Sequence, residues 1–151
     1  MLWHDIIAFS KPDYYTSTDL NTWTTDILNP DTFAHLENRS MYIFQSESNL
    51  RGVRWEWVNE PYVQANNFAC YVMIGFPYTY PACKAKILIE SKGSSNQWAI
   101  EAEIVKEQFN PRPLLIKLKN APIQTTNFRI TITKLSEGNL VINSIKLLSF
   151  R

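Results

Sequence analysis

Strict alternation of apolar and polar residues recurs through the second half of this 151-residue chain. Phe128, Ile130 and Ile132 alternate with Arg129, Thr131 and Thr133. Leu114, Ile116 and Leu118 are followed in step by Lys117 and Lys119, and Trp98, Ile100, Ala102 and Ile104 are separated by Glu101 and Glu103. Side chains along a strand point to opposite faces in turn, so a period of two marks a strand with one face buried and the other wet. Such strands must be closed by a second layer.

The same period predicts further strands. Gly52 to Asn59 sets Val53, Trp55 and Trp57 against Arg54 and Glu56, with both tryptophans inward. Met41 to Gln45 and Ala85 to Ser91 are shorter candidates, and Phe68 to Gly75 is so apolar that it reads as a central strand covered on both sides. Leu140 to Phe150 is long and changes phase, which points to a bulge near Asn143 and Ser144. Ahead of these strands, residues 1–40 are irregular, with isolated aromatics and Pro12 and Pro30, and read as a segment that wraps the core. Asn29 is placed to cap one short helix running through Leu36, with Pro30 in its first turn. About eight strands with turn residues between them predict an all-β protein, an antiparallel β-sandwich forming a single domain over 1–151, with 41–151 as the strand core.

Composition bounds the function. Hydrophobic residues make up 45% of the chain, enough for one packed core. Fifteen Lys and Arg nearly cancel 14 Asp and Glu, and a net charge of +1 offers no field to attract nucleic acid. No stretch approaches the roughly 20 apolar residues that span a bilayer, and Met1 to Ile7 lacks the basic flank and apolar run of a secretion signal, so cytoplasmic synthesis is expected. Cys70 and Cys83 can pair across neighbouring strands or remain as small buried hydrophobes, and a reducing compartment favours the thiols.

A strand ending in Ser leads through a polar turn with Gly to a Trp that opens the next strand, in Ile89-Glu90-Ser91-Lys92-Gly93-Ser94-Ser95-Asn96-Gln97-Trp98. Phe128-Arg129-Ile130-Thr131-Ile132 centres a strand on Arg, and Val141 to Phe150 forms a closing strand. In this order the features resemble the galactose-binding-like jelly roll of discoidin domains and carbohydrate-binding modules, over roughly the last 100 residues. The resemblance implies a closing strand that returns the C-terminus beside the N-terminus. Related jelly rolls often hold calcium in their loops, for which Asp13, Asp19, Asp26 and Asp31 are available, although no spacing singles out a set.

No catalytic constellation is legible. His4 and His35 are the two histidines, and neither lies in a motif with a nucleophile. Glu101 and Glu103, two apart on one strand, read as a solvated pair on the face opposite Trp98. With four glycines in the chain a phosphate cradle is not expected, and no metal or cofactor is assigned. If strands alternate in direction, segments 45–51, 76–82, 106–112 and 135–138 gather at one end. That end would collect Phe76, Tyr78, Tyr80 and Phe109 with Arg51 and Arg112, and aromatic and arginine side chains are what binding surfaces enrich.

These features predict a non-catalytic interaction module. The resemblance, taken with the absent secretion signal, points to the small jelly-roll proteins of bacteriophage tails and capsids, hence to an adaptor or decoration piece in a virion, part of an oligomer and in contact with other protein subunits. The alternative is a carbohydrate-binding module for a cell-surface glycan, with Tyr78, Tyr80 or Trp23 stacking on sugar rings and Arg51 or Arg112 reaching hydroxyls.

Overall fold

In the computed structural model residues 3–7, 12–25, 41–45, 48–58, 69–76, 83–92, 97–107, 113–120 and 127–150 are described. Twelve strands run through them: β1 (Trp3–Asp5), β2 (Asp13–Ser17), β3 (Thr24–Thr25), β4 (Met41–Phe44), β5 (Gly52–Trp57), β6 (Ala69–Gly75), β7 (Ala85–Lys92), β8 (Trp98–Lys106), β9 (Leu114–Lys117), β10 (Asn127–Lys134), β11 (Leu140–Ile142) and β12 (Ser144–Phe150). They form a six-stranded sheet in the order β3-β2-β5-β10-β7-β8, a four-stranded sheet β1-β12-β6-β9, and a small pair β11-β4. The all-β, antiparallel sandwich expected from the alternation is what the chain builds, with no helix among the described residues. Residues 29–36, where a helix is expected, lie outside them.

The alternation explains which faces meet. Directly opposite residues of antiparallel strands share a face. Trp55 faces Ile130 and Ile130 faces Ile89, while Trp57 faces Phe128 and Val53 faces Ile132, so β5, β10 and β7 present one apolar surface. Against it pack Val72 and Ile74 of β6, Ile116 of β9 and Leu147 of β12, all buried in one continuous core. Each such side chain contributes on the order of 1.5–3 kcal/mol when fully buried. β6 is central to its sheet as expected, but its outward Tyr71 and Met73 are only half-buried. There Trp3 meets Tyr71 edge to face, with centroids 5.2 Å apart.

Three expectations are corrected. First, the N-terminal segment does more than wrap the core: β1 extends the four-stranded sheet, and β2 and β3 extend the six-stranded one. β1 is fixed by Asp5, whose Oδ1 accepts from the Ile7 and Leu147 amides at 3.2 and 3.1 Å. Trp3 lies opposite Phe150, so the closing strand does return beside the N-terminal one. Second, the phase change near Asn143 is a change of sheet: β11 pairs with β4, β12 with β6, and the Asn143 amide donates to the Gly75 carbonyl at 3.0 Å. Gly75 is needed at this junction because a Cβ there would collide with Ser144 Oγ and Asn143 Oδ1. Third, Glu101 and Glu103 do not share a face. β7 and β8 slip register between Ile89, opposite Ala102, and Glu90, opposite Ile100. The extra residue is Glu101, and the bulge turns it inward.

Glu101 is 3% exposed and accepts three hydrogen bonds, from Ser91 Oγ (3.1 Å), the Asn120 amide (3.0 Å) and Asn120 Nδ2 (3.0 Å). Its own carbonyl accepts from Lys119 at 2.9 Å, so this residue ties the edge of β8 to the turn after β9. Glu103 stays outside, 3.9 Å from Lys86, an exposed pair of little energetic weight. Cys70 and Cys83 form no disulfide; Cys83 is buried and that burial pushes its thiol up from the ordinary value, whereas Cys70 is half-buried.

Two outcomes follow. Glu101→Gln places an amide NH₂ where donors converge and is expected to destabilise the fold by about 1–3 kcal/mol, read as a lower urea midpoint with unchanged slope. In the native protein a thiol reagent such as DTNB is expected to leave Cys83 unmodified until denaturant is added, since the thiolate is the reactive form and burial disfavours it.

Candidate functional site

Registers sort the strand ends onto two ends of the sandwich. Gly52 lies opposite Thr133, Lys134 opposite Ala85, and Ala85 opposite Lys106. In the other sheet Gly75 lies opposite Ser144 and Ile74 opposite Leu114. The strand ends that flank 45–51, 76–82, 106–112 and 135–138 therefore lie together, as the alternating directions predict. Tyr78, Tyr80, Phe109 and Arg112 fall outside the described residues.

Arg51 is described and exposed at this end. Its backbone is held on both sides: its amide donates to the Ser17 carbonyl and its carbonyl accepts from the Lys134 amide, each at 2.8 Å. Below it Lys134 is only 4% exposed, with Nζ 3.4 Å from both the Gln45 carbonyl and Glu137 Oε2. Phe76 is 3% exposed and belongs to the core, so the expectation that it joins the surface aromatics is corrected. The strand preceding it continues its inward phase by one residue past Gly75.

Trp23 sits beside this end, on the outer face of the six-stranded sheet. Leu20, at φ 68°, takes the left-handed conformation in the turn after β2. That turn is held by Ser17 Oγ, which accepts from the Leu20 amide at 2.8 Å, and by Asp19 Oδ1, which accepts from the Asn21 and Thr22 amides at 2.8 Å each. These backbone bonds hold the Asp19 carboxyl below its usual value. Asp19 is thus a turn residue. The chain then lays Trp23 across Gly52, where a Cβ would stand 2.7 Å from Trp23 Cη2 and 2.8 Å from Leu20 Cδ2. Above Trp23 lies the guanidinium of Arg54, 4.1 Å from the ring centroid.

Arg54 belongs to a band of outward side chains that register places side by side, and the turn after β2 lays Trp23 against it. In one row Asp13 faces Glu56, Glu56 faces Arg129, Arg129 faces Glu90 and Glu90 faces Ile100. Arg129 is saturated: Nε and Nη2 donate to Glu90 at 2.7 and 3.2 Å, and Nη1 lies 3.5 Å from Glu56. Its guanidinium stacks 4.2 Å from the Trp98 ring centroid, with Lys92 Nζ 5.5 Å from the same ring. In the next row Tyr15 faces Arg54, and Arg54 faces Thr131. Burial, with the carboxylates of Asp13 and Glu56, pushes the Tyr15 phenol up, so it stays neutral. Alternation alone could have found the outward set Arg54, Glu56 and Arg129; the pairing of Trp23 with Arg54 had no local signal.

Among the described residues no group of three or more His, Cys, Asp or Glu side chains could hold a metal ion, and no helix is long and apolar enough to cross a membrane. Asp26, Asp31 and His35 lie outside them; His4 is exposed on β1.

Compared with known proteins, the sequence matches no family model and no curated protein. In fold it is similar to CpGH89CBM32-4 of Clostridium perfringens, solved in complex with glcNAc-alpha-1,4-galactose: the TM-score is 0.57 at 13% identity, over 98% of this chain and 95% of that one. CpGH89CBM32-6 of the same organism is similar at a TM-score of 0.53 and 13% identity, over 97% of this chain and 100% of that one. The antiparallel β-sandwich fold is therefore similar to that of these two modules over essentially the whole chain.

Gly52 is the floor on which Trp23 rests. Gly52→Ala is expected to lift the indole off Arg54, at a cost of about 1–3 kcal/mol, and to shift and broaden the tryptophan emission while far-UV circular dichroism is unchanged.

Proposed function

We propose that this chain is a non-catalytic carbohydrate-binding module whose loop end, carrying Arg51 and the segments with Tyr78, Tyr80, Phe109 and Arg112, engages a glycan. The observation that carries this reading is the whole-chain likeness in fold to a module that holds glcNAc-alpha-1,4-galactose. The chemistry agrees with it. Aromatic rings present apolar faces to the C–H side of a sugar ring, and a guanidinium offers several fixed donors to neighbouring hydroxyls. Arg51 suits that task because its backbone is clamped while the residue is exposed to solvent. The virion adaptor that stands first in the sequence reading has no likeness in its favour, so glycan binding takes its place.

GlcNAc-α-1,4-galactose and free galactose are the first ligands to titrate. Calorimetry with millimolar sugar is expected to give saturable binding that falls at least about tenfold, or ~1.4 kcal/mol, in the Tyr78→Ala/Tyr80→Ala double variant. A flat titration across neutral sugars, with the protein folded, would overturn this reading.

A further inference from the structure

The two arginines of the sheet face are in opposite states. Arg129 is saturated by Glu90 and Glu56. Arg54, one row away, donates its Nε to Thr131 Oγ1 at 2.9 Å and rests on Trp23, and among the described residues its Nη groups make no hydrogen bond. Among the described residues no carboxylate lies within ion-pair distance of it, which leaves the Nη edge of the guanidinium open. This is not a flexible surface arginine: the stem is half-buried, the Nε bond fixes the plane, and the indole fixes its face. A planar, always charged fork held in place and lacking a partner is built for an oxyanion with two acceptor oxygens.

The electrostatic balance points the same way. Burial first, and then the neighbouring Arg129, hold Arg54 below the usual arginine value, and these outweigh the opposing pulls of Glu56, Glu90 and Tyr15. An incoming negative charge would relieve both costs. Flanking Arg54 are two rings: Trp23 below the guanidinium and Tyr15 directly opposite in register. The carboxylates stand in the adjoining row: Glu90 and Glu56 are engaged by Arg129, and Glu56 also accepts from the Tyr15 phenol, so their charge is partly taken up before a ligand arrives.

We infer that the outer face of the six-stranded sheet is a second glycan surface, which adjoins the loop end at Gly52 but faces outward from the sheet, and which takes a sugar bearing a carboxylate or sulfate, with Arg54 as its anchor and Trp23 and Tyr15 beside it. The inference rests on the reading of the chain as a glycan binder. It names a different surface and a different class of sugar. The rings make an acidic sugar the occupant over an acidic peptide, because they supply the apolar faces that a pyranose uses.

The test is calorimetry with oligogalacturonate, galactose 6-sulfate and neutral galactose on the intact chain and three variants, each checked for its thermal midpoint. Oligogalacturonate or the sulfated sugar is expected to bind about tenfold more tightly than neutral galactose, to weaken as salt rises, and to lose at least about tenfold in Arg54→Gln. Arg54→Lys keeps the charge without the fork and is expected to fall between the two, which preserves the test if Arg54→Gln folds poorly. The comparison of the two anionic sugars tells which anion the fork prefers. Tyr78→Ala/Tyr80→Ala is expected to leave this binding intact while weakening that of neutral sugar at least about tenfold. If neutral sugar fails to bind and acidic sugar still depends on Arg54, the loop-end reading fails alone. Equal binding of acidic and neutral sugars, wild-type affinity in Arg54→Gln, loss in the tyrosine variant, or equal competition by a glutamate-rich peptide would each overturn the inference.

Discussion

The surface chemistry of this protein depends on one inward ladder, in which Trp55, Ile130 and Ile89 stand opposite one another across β5, β10 and β7. All three are fully buried. Because the side-chain period of a strand is two, holding these residues inward fixes the position of every residue between them. Arg54, Arg129 and Glu90 are aligned on the outer face as a consequence of apolar packing on the inner one. A slip of one residue in β10 would bury Arg129 and expose Phe128. The hydrophobic penalty for that slip is what keeps the polar band in register.

The band is held twice over. Glu90 and Glu56 converge on Arg129, while Trp98 covers the guanidinium, so one side chain joins three strands. Cross-strand pairs of this kind contribute a few tenths to about 1 kcal/mol each. Their larger effect is geometric, since they leave the neighbouring Arg54 with a fixed orientation and an unfilled edge. The Glu101 bulge acts at the sheet's border in a similar way: it fastens β8 to the turn after β9 and takes one carboxylate out of the solvated edge.

Most of the architecture was legible because it follows from alternation. The inward Trp55 and Trp57, the two-layer closure and the sorting of strand ends follow from alternation of residues and of strand direction, while the return of the last strand beside the first came from the resemblance. Trp98, which alternation sets on the buried side with Ile100, instead faces outward and stacks on Arg129. What escaped depends on partners distant in sequence. β2 reads Asp-Tyr-Tyr-Thr-Ser and has no clean period; it becomes a strand because β5 offers an edge. Glu101 has the spacing of an outward residue, and only the register with β7 makes it the extra one. The phase change at Asn143 was visible, but a bulge and a change of sheet leave the same local mark. Of the residues proposed for binding, Arg51 stands exposed where the spacing put it, whereas Trp23 lies on the sheet face because the turn around Asp19 carries it there.

The pairing of β1 with β12 has a mechanical consequence. Trp3 and Phe150 are opposite each other at the same end of an antiparallel pair, and β1 is only three residues long at the edge of its sheet. Tension applied between the two ends of the chain would load these hydrogen bonds one after another, as in opening a zipper, instead of shearing them together. The N-terminal strand would peel away at low force while the six-stranded sheet, which bears no part of that load, kept its shape.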